Sequence, residues 1–427
     1  MSRRSVRQGI TWVEVLVIVL LVGLLLFVLV PPALQSSREA ARRRQCGDNL
    51  RSIVQGLQSY HDAQKVFPAG AMHAGPNPGG EPPVTAALGP SWWFGIMPFM
   101  DQQGPHYEDQ KGVYQKIVES QRPGQDARYE FCADDINRYL TAHPYPHPRL
   151  AARLRARRSR REKWAWPLAY LVPPYMCCPS SPLPVTETVM GPIALPTYVG
   201  IAGGCDIDPR SYDYQTVGGA PSSPVAPEIE HIYHNKYKGT GAAAGGIVTS
   251  SGLLPPCQHV VVEACTDGAS NTMIVAEQSD WLRERDSDSS RKYNGSAGWT
   301  DSGGNYISRG ATSAGGGWLS GTRRVDPVPR VSTPGGPPAM WGGDCWNVTT
   351  VRYPPNLKRV MGNERRRTSP LPGCSENHGI NNPLQSPHPG GLMVGMADGS
   401  VQFIQQTADL GVLLRLSIRD DGVSLRN

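Results

Sequence analysis

The sequence lacks the short motifs that mark the common classes of enzyme. It contains no Gly-x-Ser-x-Gly elbow, no His-Glu-x-x-His pair and no phosphate-binding loop. Its nine cysteines include no Cys-x-x-Cys pair, the spacing that is typical of structural zinc sites. We therefore predict that the protein is not an enzyme, that it needs no cofactor and that it holds no metal, one calcium candidate apart.

Charge is also scarce, and it is unevenly distributed. Asp, Glu, Lys and Arg make up 18% of the chain, against roughly 25% in typical soluble domains. The 47 glycines and 40 prolines together fill 87 of the 427 positions, which predicts many turns and short strands. The formal net charge is +6, yet residues 149–163 carry eight basic side chains and one acidic, a net of +7, so the remainder sums to about −1. A general nucleic-acid-binding surface therefore has weak support.

The basic segment lies within residues 131–167, which we interpret as an insertion. Its pattern predicts a solvated cationic helix. The alternative is contact with an anionic ligand, either lipid headgroups or nucleic acid. The side chains that would make this contact are Arg153, Arg155, Arg157, Arg158, Arg160 and Arg161.

What the sequence does contain is a long apolar run at its start. Residues 10–30 are apolar except for Thr11 and Glu14, with one glycine, Gly23, and roughly 20 such residues suffice to cross a bilayer. A secretory signal peptide is the alternative, but the run is too long and no Ala-x-Ala-like cleavage site follows it. The arginines ahead of the run predict a single pass through the inner membrane with the rest of the chain outside the cytoplasm, in the periplasm or at the cell surface.

The start of this run carries a recognisable pattern. Gly9 is followed by the apolar Ile10, and Glu14 is the fifth residue after the glycine. The pattern resembles a type IV prepilin N-terminus, although that family usually has phenylalanine and leucine where this chain has Ile10 and Trp12. The resemblance implies cleavage after Gly9 by a prepilin peptidase and N-methylation of Ile10. It also implies that Glu14 pairs with the new terminal amine of a neighbouring subunit, which would offset the cost of about 2.5 to 3.5 kcal/mol for a carboxylate in lipid.

The helical pattern extends beyond the apolar run. Pro31 and Pro32 predict a kink or pause, after which apolar residues recur three and four apart, the stripe of an amphipathic helix that packs on a sheet. The stripe consists of Leu50, Ile53, Val54, Leu57 and Tyr60. Short β-like runs follow at residues 193–201, 246–249, 259–263, 272–276, 392–396 and 400–404. They predict an α+β fold with an antiparallel sheet and long Gly/Pro-rich loops, closed by a tail helix with Thr407 as its cap.

Several landmarks along the chain, in order, resemble the bacterial prepilin-like proteins that carry domain of unknown function 1559. They are Ala40-Ala41-Arg42-Arg43, Gln45-Cys46, Tyr60-His61-Asp62, Phe67-Pro68, the aromatic run 92–102, Cys178-Pro179-Ser180, Tyr198-Val199-Gly200, the run 266–272, and His388 followed after nine residues by Asp398-Gly399. The resemblance implies that the aromatic run forms a strand. The resemblance implies a pilin-like long helix packed on a sheet. The expected parts are a leader at 1–9, a membrane helix at 10–30, its continuation at 31–66, a head at 67–404 and a tail helix at 405–427.

Two of these landmarks invite a chemical interpretation. Asp398-Gly399 between two β-like runs predicts a hairpin turn, which would leave His388 in a loop at the far end of a strand, out of reach of Asp398. Residues Asp267, Gly268, Ser270 and Asn271 likewise predict a turn. A calcium ion bound by Asp267 and Glu277 is the alternative for that second landmark.

These observations predict a prepilin-like or pseudopilin-like structural subunit of a type II secretion or type IV pilus-like assembly. Its expected partners are the prepilin peptidase, other pilin-like subunits, further copies of itself and the membrane. The alternative is an anchored module that binds polysaccharide or nucleic acid and does not polymerise. That module would use the basic segment and the tryptophans Trp318, Trp341 and Trp346. An extracytoplasmic head permits disulfides, but their pairing does not follow from the spacing.

Overall fold

One long helix and one mixed sheet dominate the computed structural model of the chain. The structure describes residues 12–73, 88–100, 173–187, 193–205, 237–239, 247–256, 258–285, 292–294, 298–300, 306–307, 320–323, 340–341, 345–361, 373–374 and 380–422. The helices are α1 Trp12–Gln64, α2 Trp92–Met100 and α3 Leu410–Ser417, with short 3-10 helices at Pro174–Met176, Val262–Ala264 and Ala269–Asn271.

The strands are mostly short. They are β1 Ala71–His73, β2 Leu88–Ser91, β3 Thr186–Glu187, β4 Ile193–Ala194, β5 Tyr198–Gly204, β6 Tyr237–Gly239, β7 Ile247–Val248, β8 Met273–Glu277, β9 Leu282–Arg285, β10 Lys292–Asn294, β11 Gly298–Thr300, β12 Tyr306–Ile307, β13 Ser320–Arg323, β14 Met340–Trp341, β15 Val348–Val351, β16 Arg359–Met361, β17 Gly391–Met396 and β18 Val401–Gln405. Within the described ranges the central sheet has the order β15-β5-β8-β17-β18, a second five-stranded sheet has the order β12-β11-β10-β9-β16, and three further sheets have two or three strands each.

The central sheet is the α+β core that the sequence predicted, with one difference. The pairs β5–β8, β8–β17 and β17–β18 are antiparallel as expected, but β15 runs parallel to β5 at the edge. Successive residues of β5 face opposite sides, so Tyr198 belongs to one apolar cluster and Val199 to the other. Helices α1 and α2 cover the first face, and α3 covers the second. The sheet is therefore buried on both sides.

The second half of α1 lies across the first face of the sheet. The predicted stripe is confirmed, because each of its five side chains has no exposed surface. The helix comes so close to β17 that a Cβ atom on Gly395 would lie 2.5 Å from Val54 Cγ2. Gln58 adds a hydrogen bond of 3.0 Å to the Ala397 carbonyl. The helix continues through Pro31 and Pro32 without the predicted pause. Each proline removes one backbone hydrogen bond, and the helical turns on both sides remain.

The first half of α1 has a different surface. The apolar side chains that the structure describes there are exposed, from 44% at Val15 to 90% at Trp12. Among the described residues, no helix combines the length and the apolarity that crossing a membrane requires.

Three local predictions were wrong in type or position. The aromatic run is not a strand but helix α2, in which Trp92, Trp93 and Ile96 are fully buried; an apolar run of this length does not distinguish a strand from a buried helix. Residues 259–263 form no strand in the structure, and Val262–Ala264 is a 3-10 helix. The tail helix exists, but its cap is Asp409 rather than Thr407.

Candidate functional site where the long helix meets the head

A buried polar cluster lies where α1 docks on the head. It collects side chains from segments that are far apart in the chain: Glu39 and Cys46 from α1, Cys178 from the segment before β3, Glu277 from the end of β8, and His388 from the loop before β17. One sulfur, nitrogen or oxygen atom from each of Cys46, Cys178, Glu277 and His388 lies within 4.8 Å of all the others. Among the described residues, these four form the one group of His, Cys, Asp and Glu side chains whose geometry could hold a metal ion.

A disulfide bond joins Cys46 to Cys178, across 132 residues of sequence, with Cα atoms 5.2 Å apart. The Cys178 side of the bond is fixed by a hydrogen bond of 2.7 Å from its backbone N–H to Thr197 Oγ1. Asn49, one turn beyond Cys46, donates to the Cys177 carbonyl at 3.1 Å. The bond therefore attaches the docked half of α1 covalently to the head.

His388 is buried beside this disulfide, with 1% of its surface exposed. Its Nδ1 lies 2.6 Å from Glu39 Oε1, while its Nε2 lies 3.5 Å from both Cys178 Sγ and Glu277 Oε1. The imidazole thus bridges α1 and β8. Arg43, on the same side of α1 as Glu39, reinforces the junction through the Pro389 carbonyl and the Phe403 ring.

The two carboxylates determine the charge of the histidine. Burial alone lowers the pKa of His388, but Glu277 and Glu39 outweigh it, and the net direction is upward. Burial likewise raises the pKa of Glu39, but its contacts with His388 and Arg42 outweigh that effect, and its pKa falls. Both shifts stabilise the charged pair, so the junction favours an imidazolium between carboxylates.

Glu277 is fully buried, and its two oxygens have different surroundings. Oε2 accepts a hydrogen bond of 2.8 Å from the Met393 backbone N–H. Oε1 has no hydrogen-bond partner in the described part of the chain and faces His388 Nε2 at 3.5 Å. Burial, with this negative charge nearby, raises the pKa of Tyr198 well above its ordinary value. An unsatisfied buried carboxylate oxygen costs free energy unless another group neutralises it.

The structure confirms the predicted turn at Asp398-Gly399. Gly399 has φ of 91°, and the Ser400 N–H donates to Asp398 Oδ1 at 2.9 Å. The six residues of β17 separate His388 from this turn, so the two motif residues do not meet, as predicted. His388 does lie in a loop, but it is buried and partnered, which the sequence argument did not anticipate.

The residues of the second landmark also form a turn. Gly268 has φ of 97°, and Ser270 and Asn271 lie in the following 3-10 helix. Asp267 accepts hydrogen bonds from the backbone N–H groups of Asp421 and Gly422. Glu277 lies at the other end of β8, a strand of five residues that rises about 3.3 Å per residue. The structure does not bring Asp267 and Glu277 together, so the calcium candidate lacks a shared site.

Several predicted residues fall outside this cluster. Gly9, Ile10, Trp318 and the six arginines of the basic segment lie outside the described residues. Glu14 lies in the first turns of α1. Trp346 is only 4% exposed, so it is a core residue and not a ligand-binding surface.

Sequence reasoning missed Glu39, the Cys46–Cys178 pairing and the role of Glu277 in this cluster. A signal for the pairing was present, since two of the family landmarks each contain one of the two cysteines. No spacing rule connects residues 39, 277 and 388, so the carboxylates could be assigned only from the structure.

Comparison with known proteins places most of the chain in one family. The model of SBP_bac_10, described as a protein of unknown function (DUF1559), matches residues 35–411. No curated protein and no solved structure matches the chain.

Proposed function

The chain belongs to the DUF1559 family, and we propose that it is a prepilin-like structural subunit. In this proposal residues 10–30 anchor it in the inner membrane, the head lies outside the cytoplasm, and the N-terminal helix packs against the same helix of other subunits. The family itself carries no assigned activity, so the proposal is supported by the residues and their packing.

The observation that carries the proposal is that one continuous helix has two surfaces. Leu50, Ile53 and Leu57 in the second half are fully buried against the head, whereas the described apolar side chains of the half that begins at Trp12 are exposed. A row of exposed Val, Leu and Ile residues of this length is unfavourable in water. It is accounted for by lipid or by the equivalent helices of neighbouring subunits.

The junction fits the mechanical requirement of such a subunit. If the helix supplies the assembly contacts, forces on the head must reach it through the docking face. A disulfide bond, a buried charged pair and an apolar stripe all join the two parts between Glu39 and Tyr60. Together they make the helix and the head one mechanical unit.

The test of this proposal is the N-terminal peptide of the protein purified from membranes, identified by mass spectrometry. We expect a chain that begins at N-methylated Ile10, because Gly9, Ile10 and Glu14 match the processing pattern. A chain that still begins at Met1 or Ser2 would contradict it and would favour an anchored module that does not polymerise.

The same experiment has an assembly readout. Chemical cross-linking in membranes should give ladders of subunits for the wild type. Glu14→Ala should abolish the ladders while the protein stays in the membrane fraction, because the variant removes the partner of the neighbouring amine. Normal ladders from Glu14→Ala would refute the role of Glu14.

A further inference from the structure

The buried cluster also contains a set of atoms that can bind a metal ion. Cys46 and Cys178 supply two sulfurs, His388 supplies Nε2 and Glu277 supplies Oε1, all within 4.8 Å of one another. Two sulfurs, one imidazole nitrogen and one carboxylate oxygen form a donor set that suits a tetrahedral zinc ion. In the structure the two sulfurs are bonded to each other as a disulfide, so they can bind a metal ion only after reduction.

We propose that Cys46, Cys178, His388 and Glu277 form a zinc site when the disulfide is reduced, so that the junction exists in two alternative cross-linked states. One state is the disulfide and the other is a dithiolate zinc complex. Each state connects α1 to the head through the same two cysteines.

The distances already present suit the metal. Zinc bonds of about 2.0 to 2.3 Å in tetrahedral geometry place neighbouring ligand atoms about 3.3 to 3.7 Å apart. His388 Nε2 lies 3.5 Å from Cys178 Sγ and 3.5 Å from Glu277 Oε1. All four ligand atoms lie within 4.8 Å of one another, and the two sulfurs must separate, which reduction of the disulfide permits.

The surroundings of the ligands are also those of a metal site. A histidine that binds zinc through one ring nitrogen usually donates the other N–H to a carboxylate. His388 meets this condition, because its Nδ1 lies 2.6 Å from Glu39 Oε1. Glu277 is held in the same way, by the hydrogen bond between the Met393 N–H and Oε2. The oxygen left for the metal is Oε1, the one without a hydrogen-bond partner in the described part of the chain.

The exchange between the two states balances with a dithiol as the reductant. The dithiol breaks the protein disulfide, becomes a cyclic disulfide itself and leaves two protein thiols. Zinc then displaces one proton from each thiol and the proton on Nε2 of the imidazolium, and it forms two Zn–S bonds, one Zn–N bond and one Zn–O bond. The reverse reaction, with a disulfide as the oxidant, restores the sulfur–sulfur bond and releases zinc.

The chain offers a matched control in the neighbouring cysteine. Burial raises the pKa of Cys177 to about 11, and its sulfur faces the Leu195 carbonyl at 3.7 Å. A thiol that resists deprotonation is a poor metal ligand. Cys177→Ser therefore removes one thiol beside the site without removing a ligand.

The test is a cobalt(II) and zinc titration of the full chain in detergent, after reduction with a phosphine and buffer exchange. The wild type and Cys177→Ser should bind one cobalt per chain, with sulfur-to-cobalt charge-transfer bands and the visible bands of a tetrahedral ion, both displaced by zinc. Cys178→Ser should lose the dithiolate spectrum. Glu39→Gln should keep the spectrum but bind about 10 to 100 times more weakly.

Glu277→Gln changes the oxygen ligand and leaves both cysteines in place, so that the disulfide can still form. Its circular dichroism should match the wild type before reduction, and its cobalt spectrum should change after reduction. Adding oxidised glutathione to zinc-loaded wild type should release one zinc for each disulfide formed. The proposal is wrong if reduced wild type shows no sulfur-to-cobalt bands, if Cys178→Ser and Cys177→Ser behave alike, or if zinc stays bound once the disulfide has re-formed.

Discussion

At the scale of single residues, His388 is a buried charge whose effect on stability depends on pH. Its pKa is raised by Glu277 and Glu39 against the opposing effect of burial. A raised pKa stabilises the folded state fully below the unfolded value of about 6.5, and this contribution disappears as the pH rises through the folded value. The lowered pKa of Glu39 has the opposite sign, and its contribution is lost at acidic pH.

We therefore expect the stability difference between the wild type and His388→Gln to be largest between about pH 4.5 and 6.5 and to shrink above that window. The measurement is urea unfolding of the disulfide form in detergent, at a series of pH values with a chelator present. A difference that grows from pH 6 to pH 9 would show that the imidazole is not charged.

His259 is the control for this experiment. Burial lowers the pKa of His259, only partly offset by its bond of 3.0 Å to the Phe67 carbonyl. Its contribution to the free energy of unfolding is thus present above about pH 6.5 and lost as the pH falls. His259→Gln should give the opposite slope to His388→Gln.

The sequence permitted correct placement of some residues at this scale and not others. Asp398-Gly399 was predictable because a turn is a local arrangement in which glycine accepts positive φ. The partners of His388 were not predictable, because Glu39 and Glu277 are separated from it by 349 and 111 residues and only the folded chain brings them together.

At the scale of elements, the structure distinguishes two neighbouring candidates for the N-cap of α3. Asp409 Oδ1 accepts from the Gly411 N–H at 2.7 Å, whereas Thr407 lies exposed and contacts only the Gln405 side chain in the described structure. We expect Asp409→Ala to lower the free energy of unfolding by about 0.5 to 2 kcal/mol. Thr407→Ala should change it by less than about 0.5 kcal/mol. Thermal or urea unfolding measures both effects. An effect of Thr407→Ala as large as that of Asp409→Ala would contradict the assignment of Asp409 as the cap.

Elements with a repeated pattern were predictable from the sequence, and short apolar runs were not. The stripe on α1 has a helical periodicity, and the β17–β18 hairpin has an Asp-Gly turn between two β-like runs. Helix α2 and the 3-10 helix at Val262–Ala264 differ from the predicted strands, because a short apolar run fits either state. Trp92, Trp93 and Ile96 are fully buried in α2, whereas the 3-10 helix has no buried residue, so burial alone does not account for both differences.

At the scale of the whole molecule, the disulfide closes residues 46–178 into one loop. A cross-link across 132 residues removes conformational entropy from the unfolded chain worth about 3 to 5 kcal/mol. Cys46→Ala/Cys178→Ala should therefore lower the free energy of unfolding by this amount, measured by urea denaturation with a chelator present. Adding a phosphine reductant should destabilise the wild type and leave the double variant unchanged.

The topology of the whole sheet was the least predictable part. The antiparallel neighbours β17 and β18 follow from a tight turn, but β15 joins β5 in parallel after more than 140 residues. No local pattern encodes which edge a returning strand takes, because that choice depends on which backbone groups remain unpaired. The α+β class followed from composition and strand spacing, whereas the strand order required the structure.

The continuity of α1 also fixes a direction around its axis. Glu14 and Glu39 are 25 residues apart on one unbroken helix, which is about seven full turns of 3.6 residues. The two glutamates therefore lie on the same face, and Glu39 marks the face that points toward the head. In the proposed assembly, a neighbouring chain that brings its terminal amine to Glu14 would approach on the side of the helix that carries Glu39. The rotation of each head about the helix axis, relative to the next head, would thus be set by the helix that carries it.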